Sequence, residues 1–135
     1  MALLKWGKKY SVGVKAMDDQ HITLIKILNE LHAAMLRGKA QSVADPILKK
    51  MTDYVSRHFS DEERLMENSK FPQLAEHCAK HRELAEKVAK YVASYEQGDQ
   101  TIYPELLRFV GDWLHDHMLI VDKQYTVWLN ELGVR

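Results

Sequence analysis

Residues 74–95 read LAEHCAKHRELAEKVAKYVASY, and this stretch decides the fold. Seven residues in it follow one another in strict alternating steps of three and four: Leu74, His77, His81, Leu84, Val88, Tyr91 and Tyr95. That spacing places all seven on one face of an amphipathic helix. No run of alternating polar and apolar residues competes with a helical pattern after about residue 18. The sequence therefore predicts a helical protein whose helices each bury one face.

Breaking residues divide the chain into four helical segments. Gly38 ends the first segment, and Asp45 with Pro46 begins the second as an N-cap followed by a first-turn proline. Residues 68–72 and 98–101 separate the other segments. We expect an extended N-terminal arm over residues 1–17 and helices at about 18–37, 45–67, 72–96 and 103–130. Because short connections join neighbouring helices antiparallel, the sequence predicts one all-α domain over residues 1–135, an up-down-up-down four-helix bundle preceded by the arm.

Length and charge exclude several classes of protein. The 135 residues suffice for one domain, and 19 basic residues balance 19 acidic ones, so no net charge steers the protein to nucleic acid. Cys78 is the only cysteine, which excludes an intrachain disulfide. No stretch approaches the roughly 18 apolar residues of a membrane span, and charges interrupt the first ten residues before a signal core can form. We expect a cytoplasmic protein that is a monomer or a weak homo-oligomer.

Ionisable residues interrupt the predicted apolar stripes at six positions: His21, His58, Glu62, His77, His81 and His117. Burying such a group without a partner costs several kcal/mol, so in practice it loses its charge or finds a ligand. A single core histidine usually bonds a carbonyl, and an isolated His-x-x-x-Glu is usually an exposed pair. All six, however, lie about 5 to 20 Å from helix ends that share one side of an antiparallel bundle. Their convergence on one level favours a metal site.

Asp122 joins this set only if the last helix is locally distorted. It follows His117 by five residues, which is about 140° around an ideal helix and off the buried stripe. One wide π-type turn would bring both side chains inward, and such turns are common at functional sites. We therefore predict a π turn between His117 and Asp122.

Five imidazoles and two carboxylates are more donors than one tetrahedral zinc ion can take, so they suit two metal ions. If Glu62 and Asp122 bridge the ions together with a solvent oxygen, an ion with three histidines is six-coordinate. An ion with two histidines is then five-coordinate and keeps one position open. Mixed imidazole and carboxylate ligation fits iron, although ligand type alone also admits manganese, cobalt or zinc.

The motifs around these residues resemble those of the hemerythrins, and of their single-domain bacterial members in particular. They are Met17-Asp18-Asp19-Gln20-His21, His58-Phe59-Ser60-Asp61-Glu62, His77-x-x-x-His81, and Trp113-Leu114-x-x-His117 followed by Asp122. The likeness covers nearly the whole chain, including Val12-Gly13-Val14 of the arm.

The resemblance implies a non-haem centre of two iron ions, oxo- or hydroxo-bridged, that binds O2 reversibly. It assigns His77, His81 and His117 to the saturated iron, His21 and His58 to the iron with the open position, and Glu62 and Asp122 to the bridges. It also implies a dry O2 pocket that protects the site from water. The matching pocket residues are Leu24, Phe59, Trp113, Leu114 and Met118.

Several functions are compatible with such a centre. The leading one is an O2 carrier, store or delivery module, not an enzyme, with an acceptor protein as an optional partner. A di-iron oxidase or peroxidase is less favoured, because ferritin-type enzymes use Glu-x-x-His pairs and none occurs in this sequence. An oxygen or redox sensor acting through a partner is the third alternative. We expect His32 and His115 at the surface or rim and Cys78 in packing, all outside the site.

Overall fold

The computed structural model describes residues 4–36, 45–98 and 102–135, and within these ranges it is helical with no strand. A short 3-10 helix, Lys8–Tyr10, precedes the bundle. The bundle helices are α1 (Lys15–Leu36), α2 (Asp45–Asn68), α3 (Leu74–Glu96) and α4 (Ile102–Asp116). A π-helical segment (His117–Val121), a 3-10 segment (Asp122–Tyr125) and α5 (Thr126–Glu131) continue α4.

The four long helices close into a ring of neighbours. α1 packs against α2 and α4, and α3 packs against α4 and α2. This arrangement confirms the predicted all-α, up-down-up-down four-helix bundle, and predicted stripe residues such as Leu28, Leu31, Leu84 and Leu114 are buried. The predicted breaks at residues 37–39 and 99–101 lie outside the described residues. No helix in the described ranges is long and apolar enough to cross a membrane.

The structure places the boundary between the arm and the first helix three residues before the predicted position near residue 18. α1 begins at Lys15 and not near residue 18, and the arm contains the Lys8–Tyr10 turn, so it is not extended throughout. The carboxylate of Asp18 explains the earlier start, since it accepts hydrogen bonds from the backbone N–H of Val12 (2.8 Å) and the hydroxyl of Ser11 (2.6 Å). These bonds fold the chain before the helix back onto its first turn.

The arm lies against the segment that continues α4. Gly13 has a φ of +70°, and a Cβ at that position would come within 3.0 Å of Thr126 Cγ2. Glycine is therefore required both by the backbone conformation and by the close approach. Thr126 Oγ1 donates to Val12 O at 2.6 Å, and Tyr10 OH and His115 Nδ1 form a hydrogen bond of 2.7 Å. These contacts hold the arm over the part of the chain that carries Asp122.

A Schellman motif ends α2 where the sequence predicted a break. The N–H of Phe71 donates to Met66 O and that of Lys70 to Glu67 O. Lys70 occupies the left-handed position, with a φ of 59°, that glycine usually fills. Phe71 and Met66 are both buried in one apolar cluster, which fixes how α3 follows α2.

Two apolar clusters fill the interior. The larger is formed by residues 24–34, 48–51 and 103–118, and the smaller by residues 12–17, 66–71 and 125–129. His21 falls between these ranges in α1, His58 and Glu62 in α2, and Asp122 in the continuation of α4, while His117 lies beside Met118 at the edge of the larger cluster. The polar layer is consequently sealed by apolar side chains on both sides.

Candidate metal centre

All seven side chains predicted as ligands are buried, with exposed fractions of 0–4%. α1 contributes His21, α2 contributes His58 and Glu62, and α3 contributes His77 and His81. His117 and Asp122 come from the continuation of α4. Six of them come from the helix faces that the apolar periodicity assigned to the interior, Asp122 joins them through the distorted end of α4, and all seven meet in one layer. Their donor atoms fall into two groups.

The first group contains three imidazoles. His117 Nε2 lies 3.1 Å from His77 Nε2 and 3.2 Å from His81 Nε2. Glu62 Oε1 lies 3.0 Å from the Nε2 atoms of both His77 and His81, and Asp122 Oδ1 lies 2.8 Å from His117 Nε2. This cluster of three nitrogens and two oxygens is termed the three-histidine position.

The second group contains two imidazoles and Glu62, and Asp122 approaches it through a contact with His21. His21 Nε2 and His58 Nε2 are 3.1 Å apart. Glu62 Oε2 lies 3.5 Å from His58 Nε2, and Asp122 Oδ2 lies 3.2 Å from His21 Nε2. We term this cluster the two-histidine position. Each carboxylate thus turns one oxygen toward each position, which is the arrangement of two bridging ligands.

The π-helical segment His117–Val121 brings Asp122 into the layer, as the five-residue spacing predicted. In a regular α-helix the side chain of Asp122 would point about 140° away from that of His117. With the wider turn, both side chains are buried and their donor atoms are 2.8 Å apart. The prediction of a π turn is confirmed.

The donor set fits a pair of cations. His81 Nδ1 and His58 Nδ1 face carboxylate and amide oxygens, so each ring carries its hydrogen on Nδ1 and directs the Nε2 lone pair inward. Both oxygens of Asp122 are fully buried and lack a hydrogen bond of good geometry among the described residues, although ring nitrogens of His21, His77 and His117 lie 2.8–3.2 Å from them. Lone pairs converging within about 3 Å repel one another unless a positive charge lies between them. Imidazole and carboxylate donors in these numbers suit iron and related transition metals.

The pKa values of the site histidines show how the negative charges of the two carboxylates are balanced. Burial opposes the charged form of His21, yet Asp122 and Glu62 raise its pKa to about 10. Burial likewise opposes the charged form of His77, and the same carboxylates raise its pKa to about 9. Burial dominates at His58 and lowers its pKa to about 4. Without a bound cation, the two buried negative charges thus favour the protonated forms of His21 and His77. Metal binding must release those protons.

Three functional contacts escaped the sequence reasoning. Glu63, the neighbour of Glu62 on α2, accepts a hydrogen bond of 2.8 Å from His81 Nδ1, and Gln20 Oε1 accepts one of 2.6 Å from His58 Nδ1. Tyr125 OH donates to Glu62 Oε2 at 2.9 Å. Burial raises the pKa of Tyr125 well above its ordinary value, so this phenol remains a donor. The position of Gln20 beside His21 was a weak signal, while Tyr125 could be found only once the 3-10 segment was known.

The predicted pocket residues line one side of the layer. Leu24, Leu114 and Met118 are buried in the larger apolar cluster. Phe59 stacks on the His81 ring with centroids 3.8 Å apart, and half-buried Trp113 stacks on the His117 ring at 4.1 Å. The aromatic members therefore pack against the three-histidine position.

An apolar groove leads toward this side of the layer. It lies between α2 and α3, has a volume of about 490 Å³, and is lined by residues that include Val55, Val88 and Ala89 as well as Phe59 and His81. The groove reaches the ring of one candidate ligand, His81.

Three residues that the sequence placed outside the site do lie outside it. His32 is half-buried in α1 and belongs to neither donor group. His115 is also half-buried and bonds Tyr10 of the arm. Burial and the neighbouring Glu63 raise the pKa of the half-buried Cys78 thiol, which disfavours the reactive thiolate.

Comparison with known proteins agrees with this geometry. The model of the hemerythrin HHE cation-binding domain matches residues 12–129. A bacteriohemerythrin of Stenotrophomonas maltophilia is 33% identical over 93% of this chain and 81% of its own length, and one of Methylococcus capsulatus is 32% identical over 93% and 95%. A crystal structure of wild-type hemerythrin superimposes with a TM-score of 0.89 and 32% identity, covering 95% of this chain and 98% of that one. The family match, the relatives and the buried histidine–carboxylate layer together show that this chain belongs to the hemerythrin family.

Proposed function

We propose that the protein binds O2 reversibly at two iron ions in the bundle core and serves as a cytoplasmic carrier, store or delivery module. The observation that carries this proposal is the division of the donors into a three-histidine and a two-histidine position that share both carboxylates. Ferrous iron would supply the electrons and the vacant coordination position that O2 binding requires. The vacancy is expected at the two-histidine position, which has one donor fewer.

The residues of the chain would hold, bridge and shield the metal pair. His77, His81 and His117 would bind one ion, His21 and His58 the other, and each carboxylate would bind both. Tyr125 fixes the orientation of Glu62 through its hydrogen bond to Oε2. Apolar residues on the same side, Leu24, Leu114 and Met118 among them, keep water away. Exclusion of water slows the release of bound oxygen in a reactive form.

The composition of the donor set favours binding over oxygen activation. In the described residues the two positions contain five imidazoles and only two carboxylates, whereas the ferritin-type di-iron proteins surround their metals mainly with carboxylates. We therefore propose that the protein is not an oxidase and that any turnover of peroxide is a side activity.

Optical titration with O2 tests the proposal. Reduced, iron-loaded protein should develop visible absorption bands when O2 is added and lose them when O2 is removed, through repeated cycles. A single irreversible change accompanied by oxidation of a substrate would instead support an oxidase. Absence of any O2-dependent band in protein containing two iron ions per chain would contradict O2 binding.

A further inference from the structure

The outward-facing nitrogens of two candidate ligand rings meet acceptors of different charge. His81 Nδ1, at the three-histidine position, lies 2.8 Å from the carboxylate oxygen Oε2 of Glu63. His58 Nδ1, at the two-histidine position, lies 2.6 Å from the amide oxygen Oε1 of Gln20. Both rings turn Nε2 toward the centre, so Nδ1 is the donor in each bond. One ring thus donates to an anion and the other to a neutral group.

A further hydrogen bond fixes the orientation of the amide. Gln20 Nε2 donates to Asp61 Oδ2 at 3.0 Å, which leaves Oε1 directed at His58. Gln20 belongs to α1, whereas His58 and Asp61 belong to α2. The path from His58 through Gln20 to Asp61 therefore joins two helices beside the two-histidine position. With Nε2 bonded to Asp61, the amide of Gln20 presents Oε1 to the His58 ring and accepts its hydrogen bond.

Two of the three remaining rings do not alter this difference. His21 Nδ1 and His77 Nδ1 are buried and have no hydrogen-bond partner among the described residues. One such ring belongs to each metal position, so the two are equivalent in this respect. Glu63 and Gln20 are thus the side chains seen to accept from the outward-facing ring nitrogens, and they differ in charge.

An acceptor on the outer nitrogen of a metal-bound imidazole makes that imidazole a stronger electron donor. Charge-assisted hydrogen bonds are roughly twice as strong as neutral ones, so a carboxylate has the larger effect. The three-histidine position therefore receives more electron density, from more imidazoles and from a more strongly donating one. Taking the metal pair to be the iron of the proposed function, we propose that Glu63 and Gln20 are positioning residues that make the two irons electronically unequal. The iron held by His58 is the easier one to keep reduced, which suits the position expected to receive O2.

Isosteric variants separate charge from geometry. Glu63→Gln removes the negative charge and keeps an oxygen that can accept from His81. Gln20→Glu combined with Asp61→Asn places a carboxylate next to His58 and keeps an amide donor behind it. Glu67→Gln is the matched control, since Glu67 is an exposed carboxylate one turn further along α2.

Because the two irons are proposed to be unequal, we expect Mössbauer spectroscopy of iron-57-loaded, oxygen-free protein to give two separate doublets. Glu63→Gln should shift one doublet, and the Gln20/Asp61 double variant should shift the other. Chelator competition should show the iron at the three-histidine position bound about 10- to 100-fold more weakly in Glu63→Gln. Glu67→Gln should leave both doublets and both affinities as in the wild type.

Two results would overturn the proposal in protein that holds two irons. One is a Glu63→Gln spectrum identical to that of the control. The other is an equal shift of both doublets, which would mean that Glu63 acts on both irons alike. Wild-type protein that takes up no iron would overturn the proposed function together with this inference. Because the spectra are recorded without O2, failure to bind O2 contradicts the proposed function alone.

Discussion

Replacing His77 by alanine should remove the metal-dependent part of the protein's stability. His77 Nε2 lies 3.0 Å from both Glu62 Oε1 and Asp122 Oδ1. The substitution therefore removes one nitrogen donor of the three-histidine position, next to both carboxylates. A ligand that binds only the folded protein stabilises it by about 2.7 kcal/mol when its free concentration is 100 times its dissociation constant. Loss of that binding should remove the same amount.

The corresponding change in melting temperature follows from the size of the chain. Unfolding gains about 2.1 cal/mol/K of entropy per residue, so for 135 residues 1 kcal/mol corresponds to about 3.5 °C. Iron should therefore raise the melting temperature of the wild type by about 10 °C or more and that of His77→Ala by much less. The readout is the difference between iron-loaded and metal-free samples, because the substitution also changes packing in both.

Calorimetric melting paired with iron analysis measures this difference. His32→Ala is the control, since it removes a half-buried histidine that belongs to neither donor group. The control should keep two irons per chain and the full increase in melting temperature. If His77→Ala retained both the iron content and the increase, the assignment of His77 as a ligand would be wrong.

Four further perturbations test individual contacts. Tyr125→Phe removes the buried donor to Glu62 and should lower the free energy of unfolding by about 1.5–3 kcal/mol in urea titrations; an unchanged value would mean that the hydrogen bond does not contribute. Lys70→Gly relieves a left-handed backbone conformation and should raise the same quantity by about 1 kcal/mol, whereas a loss of stability would contradict the strain. In metal-free protein the pKa of His21 is about 10 against 6.5 in the unfolded chain, so its contribution is complete below pH 6.5 and lost as the pH rises toward 10; a urea midpoint that stays constant over this range would refute it. Ala89→Trp should obstruct the groove between α2 and α3 and slow O2 association in stopped-flow measurements without altering iron content, and an unchanged rate would exclude the groove as the route of entry.

Most of the fold follows from periodicity along single helices. Steps of three and four residues identify a buried face without knowledge of its neighbours, and for that reason Leu28, Leu84 and Leu114 were placed correctly. The start of α1 lies three residues before the predicted one because it depends on Asp18, whose carboxylate accepts hydrogen bonds from residues before the helix. A bond of that kind has no periodic signature in the sequence.

The candidate site also contains residues that the sequence reveals and residues that it does not. The inward histidines and Glu62 interrupt apolar stripes, so the sequence displays them, and the five-residue step from His117 to Asp122 is long enough to require a π turn. Glu63 follows Glu62 by about 100° of helix rotation, which places it off the apolar stripe of α2. Its role depends on a hydrogen bond with His81 of α3. The apolar stripe of one helix does not show which residues of the neighbouring helix lie opposite it.

Anomalous diffraction from crystals of the iron-loaded protein, recorded at the iron absorption edge, tests the metal pair most directly. We predict two peaks per chain, one among the Nε2 atoms of His77, His81 and His117 and the other between those of His21 and His58, with oxygens of Glu62 and Asp122 shared by both. A single peak, or peaks away from these side chains, would contradict the assignment of a bridged iron pair.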